Sequence, residues 1–266
     1  MPLININSVN YHYEDNGQGA TTLVFSHGLL WSGHMYHKQV EYFSKTYRVI
    51  TYDHRGQGQT EGTNAGYDMD TLTEDAVELI KKLCPNTKVI FIGLSMGGFV
   101  GMRLAARYPE VIEKLILLNT SCDEEPKSNQ PKYRLLNFMV KIFGIWSVIH
   151  KVMPIMFGKF FLEDKSRADE KKYWASQLKK CRKKYITKAV EGVINRQGIC
   201  DELYKINCPT LVIGGDQDVA TVLEKSKKIH SLINGSQYVV ISSAGHSSVI
   251  EEPAQVNEVI ANFLYK

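Results

Sequence analysis

From Leu3 to Tyr13 apolar and polar residues alternate, and Glu14-Asp15-Asn16-Gly17 ends the run, which predicts a pair of edge strands and a turn. Four short apolar runs follow, at Thr21 to Ser26, Tyr47 to Tyr52, Val89 to Gly93 and Leu115 to Asn119, and each predicts a buried strand. The stretches between them read as helices. One runs from near Gly33 to near Ser44. A second, Met69 to Leu83, places Leu72, Ala76, Leu79, Ile80 and Leu83 at helical spacing and is stopped by Cys84-Pro85-Asn86. A third starts directly after Ser95 and is ended by Tyr108-Pro109. Strand and helix in alternation favour a mostly parallel sheet with helices on both faces, an α/β fold.

The alternation then breaks. Residues 123–131, DEEPKSNQP, form a polar linker, and from Lys132 to about Cys200 the pattern is almost wholly helical. Strand signals resume after Cys208-Pro209, with Thr210 to Gly214, a helix from about Val222 to Ile233, a strand from Gln237 to Ile241 and a closing helix from Glu251 to Tyr265. The expected organisation is a core made of residues 1–122 and 201–266, with a helical cap, residues 123–200, inserted in it. There is no internal repeat or low-complexity tract.

Composition changes this picture in two places. The net charge of +4 is too small to suggest nucleic acid, but it is unevenly spread. Residues 132–188 hold fifteen Lys or Arg against four Asp or Glu, an excess of eleven, so the rest of the chain stands at −7. A basic cap dense in apolar residues makes weak contact with a membrane surface an expectation. The five cysteines form an odd set without metal-ligand spacing, so the expectation is free thiols in a reducing compartment and no metal. The amino terminus lacks a signal-peptide pattern, and no apolar run approaches the roughly 18 residues that span a bilayer, which points to the cytoplasm.

The chemistry centres on Gly93-Leu94-Ser95-Met96-Gly97, where a strand turns sharply into a helix. In that context G-x-S-x-G presents a serine hydroxyl at the tip of a strained turn, and the glycines keep side chains away from the reversing backbone. A serine needs a base, and the base an orienting carboxylate, at the ends of later strands. His246 follows the strand ending at Ile241 and is the candidate base. Asp216 and Asp218 both follow the strand that starts at Thr210; Asp218 is favoured as the acid and Asp216 as a turn former. The backbone N–H groups of Met96 and of Leu29, after His27-Gly28, are the candidate oxyanion donors. Asp53 to Gly58 (DHRGQG) lacks the order and the lysine of a phosphate loop, so Asp53 and Arg55 are read as structural, bonding loop backbone.

With these residues in place, the sequence resembles the α/β-hydrolase superfamily over essentially its whole length. Phe25-Ser26-His27-Gly28, residues 53–58, Gly93 to Gly98 and Ala244-Gly245-His246 look like that family's landmarks in its order. Residues 215–221, GDQDVAT, are similar to the acid loop of the enol-lactonase and small-esterase branch, although Val222 stands where that branch often has proline. The resemblance implies hydrolysis through an acyl-enzyme, without metal or organic cofactor.

The substrate is expected to be a small ester or lactone with an apolar acyl part, an enol-lactone and an N-acyl homoserine lactone among them. Trp31 and the cap residues Phe138, Met139, Phe143, Trp146, Met153 and Phe157 are the candidate pocket walls. Two alternatives use the same residues: C–C bond hydrolysis or perhydrolysis by the triad, and a ligand receptor with a vestigial site.

Overall fold

The computed structural model describes residues 2–265. Eight strands form one sheet in the order β1-β2-β4-β3-β5-β6-β7-β8: β1 (Leu3–Ile6), β2 (Val9–Asn16), β3 (Thr22–Ser26), β4 (Arg48–Tyr52), β5 (Val89–Leu94), β6 (Ile112–Leu118), β7 (Thr210–Gly215) and β8 (Gln237–Ile241). The β1·β2 and β2·β4 pairs are antiparallel and all others parallel, so the alternating amino-terminal run does supply the hairpin at one edge. Strands β3, β5 and β7 are buried along their whole length, because helices cover both faces.

The core helices are α1 (His37–Phe43), α2 (Met69–Leu83), α3 (Met96–Arg107), α9 (Leu223–Leu232), α10 (Ser248–Glu251) and α11 (Pro253–Leu264). Asp68 caps α2 by accepting from the Thr71 N–H at 2.9 Å. Two helices differ from expectation. The first opens with a 3-10 turn, Gly33–Tyr36, before α1. The closing helix is split, since Pro253 bars the residue before it from helical geometry and Glu252 sits at φ −130° and ψ 59°.

Between β6 and β7 lies the insert: α4 (Gln130–Phe143), α5 (Ile149–Met156), α6 (Lys159–Glu163), α7 (Ala168–Lys179) and α8 (Lys183–Ile194). It joins the hydrophobic core of the sheet rather than floating over it. Trp31 of the β3–α1 loop packs edge-on against Phe157 and against Trp174 of α7, with ring centroids 5.8 and 5.5 Å apart. Burial of three such aromatics stabilises the junction by several kcal/mol, at about 25 cal/mol per Å².

The expectation of five free thiols needs correction. Cys122 and Cys200 form a disulfide, while Cys84, Cys181 and Cys208 are free. The bonded pair is 78 residues apart in sequence. They meet because they flank the two points where the chain leaves and re-enters the sheet domain, a proximity that cysteine spacing does not encode. This pair removes the cysteine argument for a reducing compartment. Among the described residues no helix is long and apolar enough to cross a membrane.

Candidate active site

Ser95 stands between β5 and α3 with φ 53° and ψ −111°, outside the conformations that non-glycine residues favour. Close packing holds it there. A Cβ on Gly97 would lie 2.0 Å from the Ser26 carbonyl oxygen, and one on Gly93 would lie 2.2 Å from the Gly97 carbonyl oxygen. The two glycines of the motif are therefore steric requirements of this turn. Ser95 N–H donates to the Leu118 carbonyl at 2.9 Å, and Thr120 Oγ1 donates to the Ser95 carbonyl at 2.8 Å, so the strained residue is fixed from β6 as well.

Asp218, after β7, and His246, after β8, meet at 2.9 Å between Asp Oδ2 and His Nδ1. Both are buried. The carboxylate is saturated: Oδ1 accepts from the N–H groups of Ala220 (2.8 Å) and Thr221 (2.9 Å), and Oδ2 accepts from Thr221 Oγ1 (2.6 Å) and Asn119 Nδ2 (2.9 Å). Burial disfavours its charge, but His246, Thr221 and these donors outweigh burial and hold its pKa below the ordinary carboxylate value. Burial likewise opposes an imidazolium at His246. The charge and hydrogen bond of Asp218, with the charge of Glu251, more than offset it, and the His246 pKa is raised. Nδ1 is committed to Asp218, which leaves Nε2 as the nitrogen free to take a proton. Asp216 instead accepts from the Ala244 N–H at 3.2 Å, a bond to the histidine loop rather than within its own turn.

Leu29, Ser95 and His246 line one cavity of about 370 Å³, within the usual range of about 300–1,000 Å³ for small-molecule sites. The Leu29 and Met96 N–H groups have no acceptor among the described residues, and Met96 opens α3, where the helix dipole favours an anion. Gln57 braces the first donor loop by accepting from the Leu30 N–H at 2.9 Å. His27 and His54 are buried props: His27 Nε2 accepts from the His54 N–H at 2.8 Å, and burial lowers both pKa values. Asp53 does bond loop backbone, accepting from Gly33 (2.7 Å) and Gln59 (2.8 Å). Arg55 does not; its guanidinium pairs with buried Asp75 at 2.7 Å.

None of the seven residues expected to wall the pocket does so. Trp31 and Phe157 are buried at the junction between insert and sheet, Met139 and Met153 pack against the core, and Phe138, Phe143 and Trp146 face solvent. A helix turns 100° per residue, so when Leu136, Asn137 and Val140 of α4 face the cavity, Phe138 must face away. The walls are instead the smaller aliphatics, among them Ile145, Val148, Val152, Ile186 and Val190. Glu125 and Arg196, a buried pair at 2.8 Å with the guanidinium 4.4 Å from the Phe99 ring centroid, also line the cavity.

Two residues escaped sequence reading. Asn119, directly after β6, has φ 46°, donates to Asp218 and to the Gly245 carbonyl (3.1 Å), and accepts from Ser248 Oγ (2.6 Å). An asparagine closing the apolar run Leu115–Leu118, a residue type that tolerates positive φ, was the available sequence signal. Glu251, buried in α10, accepts from the N–H groups of Gly158 (2.7 Å), Gly245 (3.0 Å) and Ser247 (3.1 Å), tying the insert to the histidine loop. Burial outweighs these donors and pushes its pKa up to about 7.

Comparison with known proteins places the chain in a family. The family described as serine aminopeptidase, S33, matches residues 17–253. A 3-oxoadipate enol-lactonase from Acinetobacter baylyi is 28% identical over 95% of this chain and 92% of its own. The crystal structure of the enol-lactonase from Burkholderia xenovorans superposes with TM-score 0.92 at 27% identity, each chain covered in full. A thermophilic esterase from Thermogutta terrifontis gives 0.91 at 25% identity, over 99% of this chain and 97% of its own. The chain belongs to the α/β-hydrolases, in the family described as serine aminopeptidase, S33, and within their esterase and lactonase branch.

Proposed function

We propose that this hydrolase cleaves carboxylic esters or lactones with an apolar acyl part, through an acyl-enzyme on Ser95. The observation that carries the reading is that the strained Ser95, His246 with a free Nε2, and an unpaired Leu29 N–H all face one mostly aliphatic cavity. His246 Nε2 takes the Ser95 proton as Oγ adds to the acyl carbonyl. The oxyanion is received by the Leu29 and Met96 N–H groups, donors worth several kcal/mol in a site of this kind. The protonated His246, stabilised by Asp218, gives its proton to the leaving alkoxide, and water repeats the sequence to release the acid. No metal or organic cofactor has a part in these steps.

The aliphatic walls suit an acyl chain, while the Glu125–Arg196 pair suits a polar terminus. The test is a panel of aryl esters of graded chain length, enol-lactones and N-acyl homoserine lactones, turned over by the wild type, Ser95→Ala and Val140→Trp. The expected result is multiple turnover that Ser95→Ala abolishes, with Val140→Trp impairing long acyl chains at least about tenfold more than acetate. Activity retained by Ser95→Ala on every substrate would refute the mechanism, and tight binding without turnover would favour a receptor.

A further inference from the structure

We propose that the outer face of the insert docks on an anionic lipid bilayer, with Phe138, Phe143 and Trp146 entering the headgroup region. On α4, Leu135, Phe138 and Ile142 lie within about 60° of one another around the helix axis and all face solvent. Phe143, the last residue of α4, and Trp146 beyond it continue the exposed run, at 52% and 64% exposed. Five large apolar side chains in twelve residues form a patch rather than the scattered exposure of an ordinary surface. It is also the outer side of a cavity wall, since Leu136 and Val140 of the same helix face the cavity.

Charge selects the occupant. Residues 126–162 contain six Lys or Arg and no Asp or Glu. Lys132 and Lys141 sit on either side of the stripe, both exposed and without an ion pair among the described residues. From the neighbouring helix, Lys183 reaches across to the Ile142 carbonyl at 3.1 Å and adds its charge to the rim. The acid facing this side, Glu191 of α8, is occupied by Arg134 at 3.1 Å. Aromatic residues beside lysines, with no carboxylate among them, match an interface of acyl chains under anionic headgroups. A second copy of the chain would bring the same positive rim against itself. The membrane contact expected of the basic, apolar cap is thereby assigned to α4 and the turn after it.

The chain supplies its own probe. Of its three tryptophans, Trp31 and Trp174 are 3% and 1% exposed, so a change in fluorescence on binding reports Trp146. The experiment mixes the intact protein with vesicles of equimolar phosphatidylcholine and phosphatidylglycerol, or of phosphatidylcholine alone, and reads sedimentation and emission. The expected result is binding to the anionic vesicles with a blue-shifted emission, at least about tenfold weaker on the neutral ones and weakened by salt. Phe138→Ser/Phe143→Ser/Trp146→Ser, read by sedimentation alone, is expected to lose at least about tenfold in partitioning. Lys132→Glu/Lys141→Glu, which keeps the apolar stripe, is expected to lose preference for the anionic vesicles. No partitioning by the wild type at low salt would overturn the proposal. So would partitioning with unshifted emission, or a blue shift that accompanies self-association without lipid. Binding is read without any substrate, so this result stands apart from the hydrolytic reading.

Discussion

Glu251→Gln probes the joint between the insert and the histidine loop. The folded protein holds the Glu251 carboxyl at about 7 against an ordinary value of 4.5, a difference of about 2.5 pKa units. At about 1.4 kcal/mol per unit, the carboxyl makes the stability of the wild type depend on pH by about 3 kcal/mol. A raised folded-state pKa means that the folded chain holds its proton more tightly than the unfolded chain does. The contribution is therefore fully present below 4.5, falls as pH rises, and is lost once pH passes about 7. Glutamine cannot titrate, and its amide nitrogen cannot accept a hydrogen bond, whereas even the protonated carboxyl keeps lone pairs on both oxygens for the N–H groups of Gly158, Gly245 and Ser247. The variant should be less stable than the wild type at about pH 5, by about 1–3 kcal/mol for a buried donor left unpaired. Between about pH 5 and about pH 8 the gap should shift by about 2.5 kcal/mol in the variant's favour. Urea unfolding of both proteins at the two pH values measures the difference and cancels every other titrating group. A gap that stays constant to within about 0.5 kcal/mol would show that Glu251 does not titrate in this window, and the reasoning from burial would fail.

The remaining predictions concern the site and its tether. Asp218→Asn should lower kcat on any ester substrate about 10³- to 10⁴-fold while the fold persists, as steady-state kinetics and a melting curve would show together. The acid limb of kcat/KM should have its midpoint above 6.5, because His246 acts as base only when neutral and its pKa is raised. Cys122→Ser/Cys200→Ser removes a link closing a loop of 78 residues and should cost about 4.5 kcal/mol in chain-entropy terms, measured by urea unfolding.

What could be read from sequence follows from the range of the interactions involved. Strand and helix identity is set locally, and α2 and β8 fall on the residues that periodicity indicates, Met69–Leu83 and Gln237–Ile241. Ser95, His246 and Asp218 could be singled out as candidates because each lies just beyond a strand end, and strand ends are local features. Asp218 is favoured over Asp216 because a carboxylate needs loop length to turn toward a histidine on the next strand, and it is Asp218 that lies 2.9 Å from His246. The walls of the cavity could not be found that way. Large aromatics suggest a pocket by composition, yet Phe138 and Trp146 lie on the side of the insert that faces away from Ser95, and Val140 or Ile186 look like any core aliphatic. Asn119 and Glu251 act through partners 99 and 93 residues distant, Asp218 and Gly158, and the Cys122–Cys200 link spans 78; only the folded chain brings such pairs together.

The central claim is that Ser95 is a nucleophile activated by His246. Treatment with a fluorophosphonate, followed by intact mass and peptide mapping, tests it most directly. The account predicts a single adduct, on Ser95, formed by the wild type and suppressed in His246→Ala. An unmodified protein, or an adduct on another residue with Ser95 untouched, would contradict it.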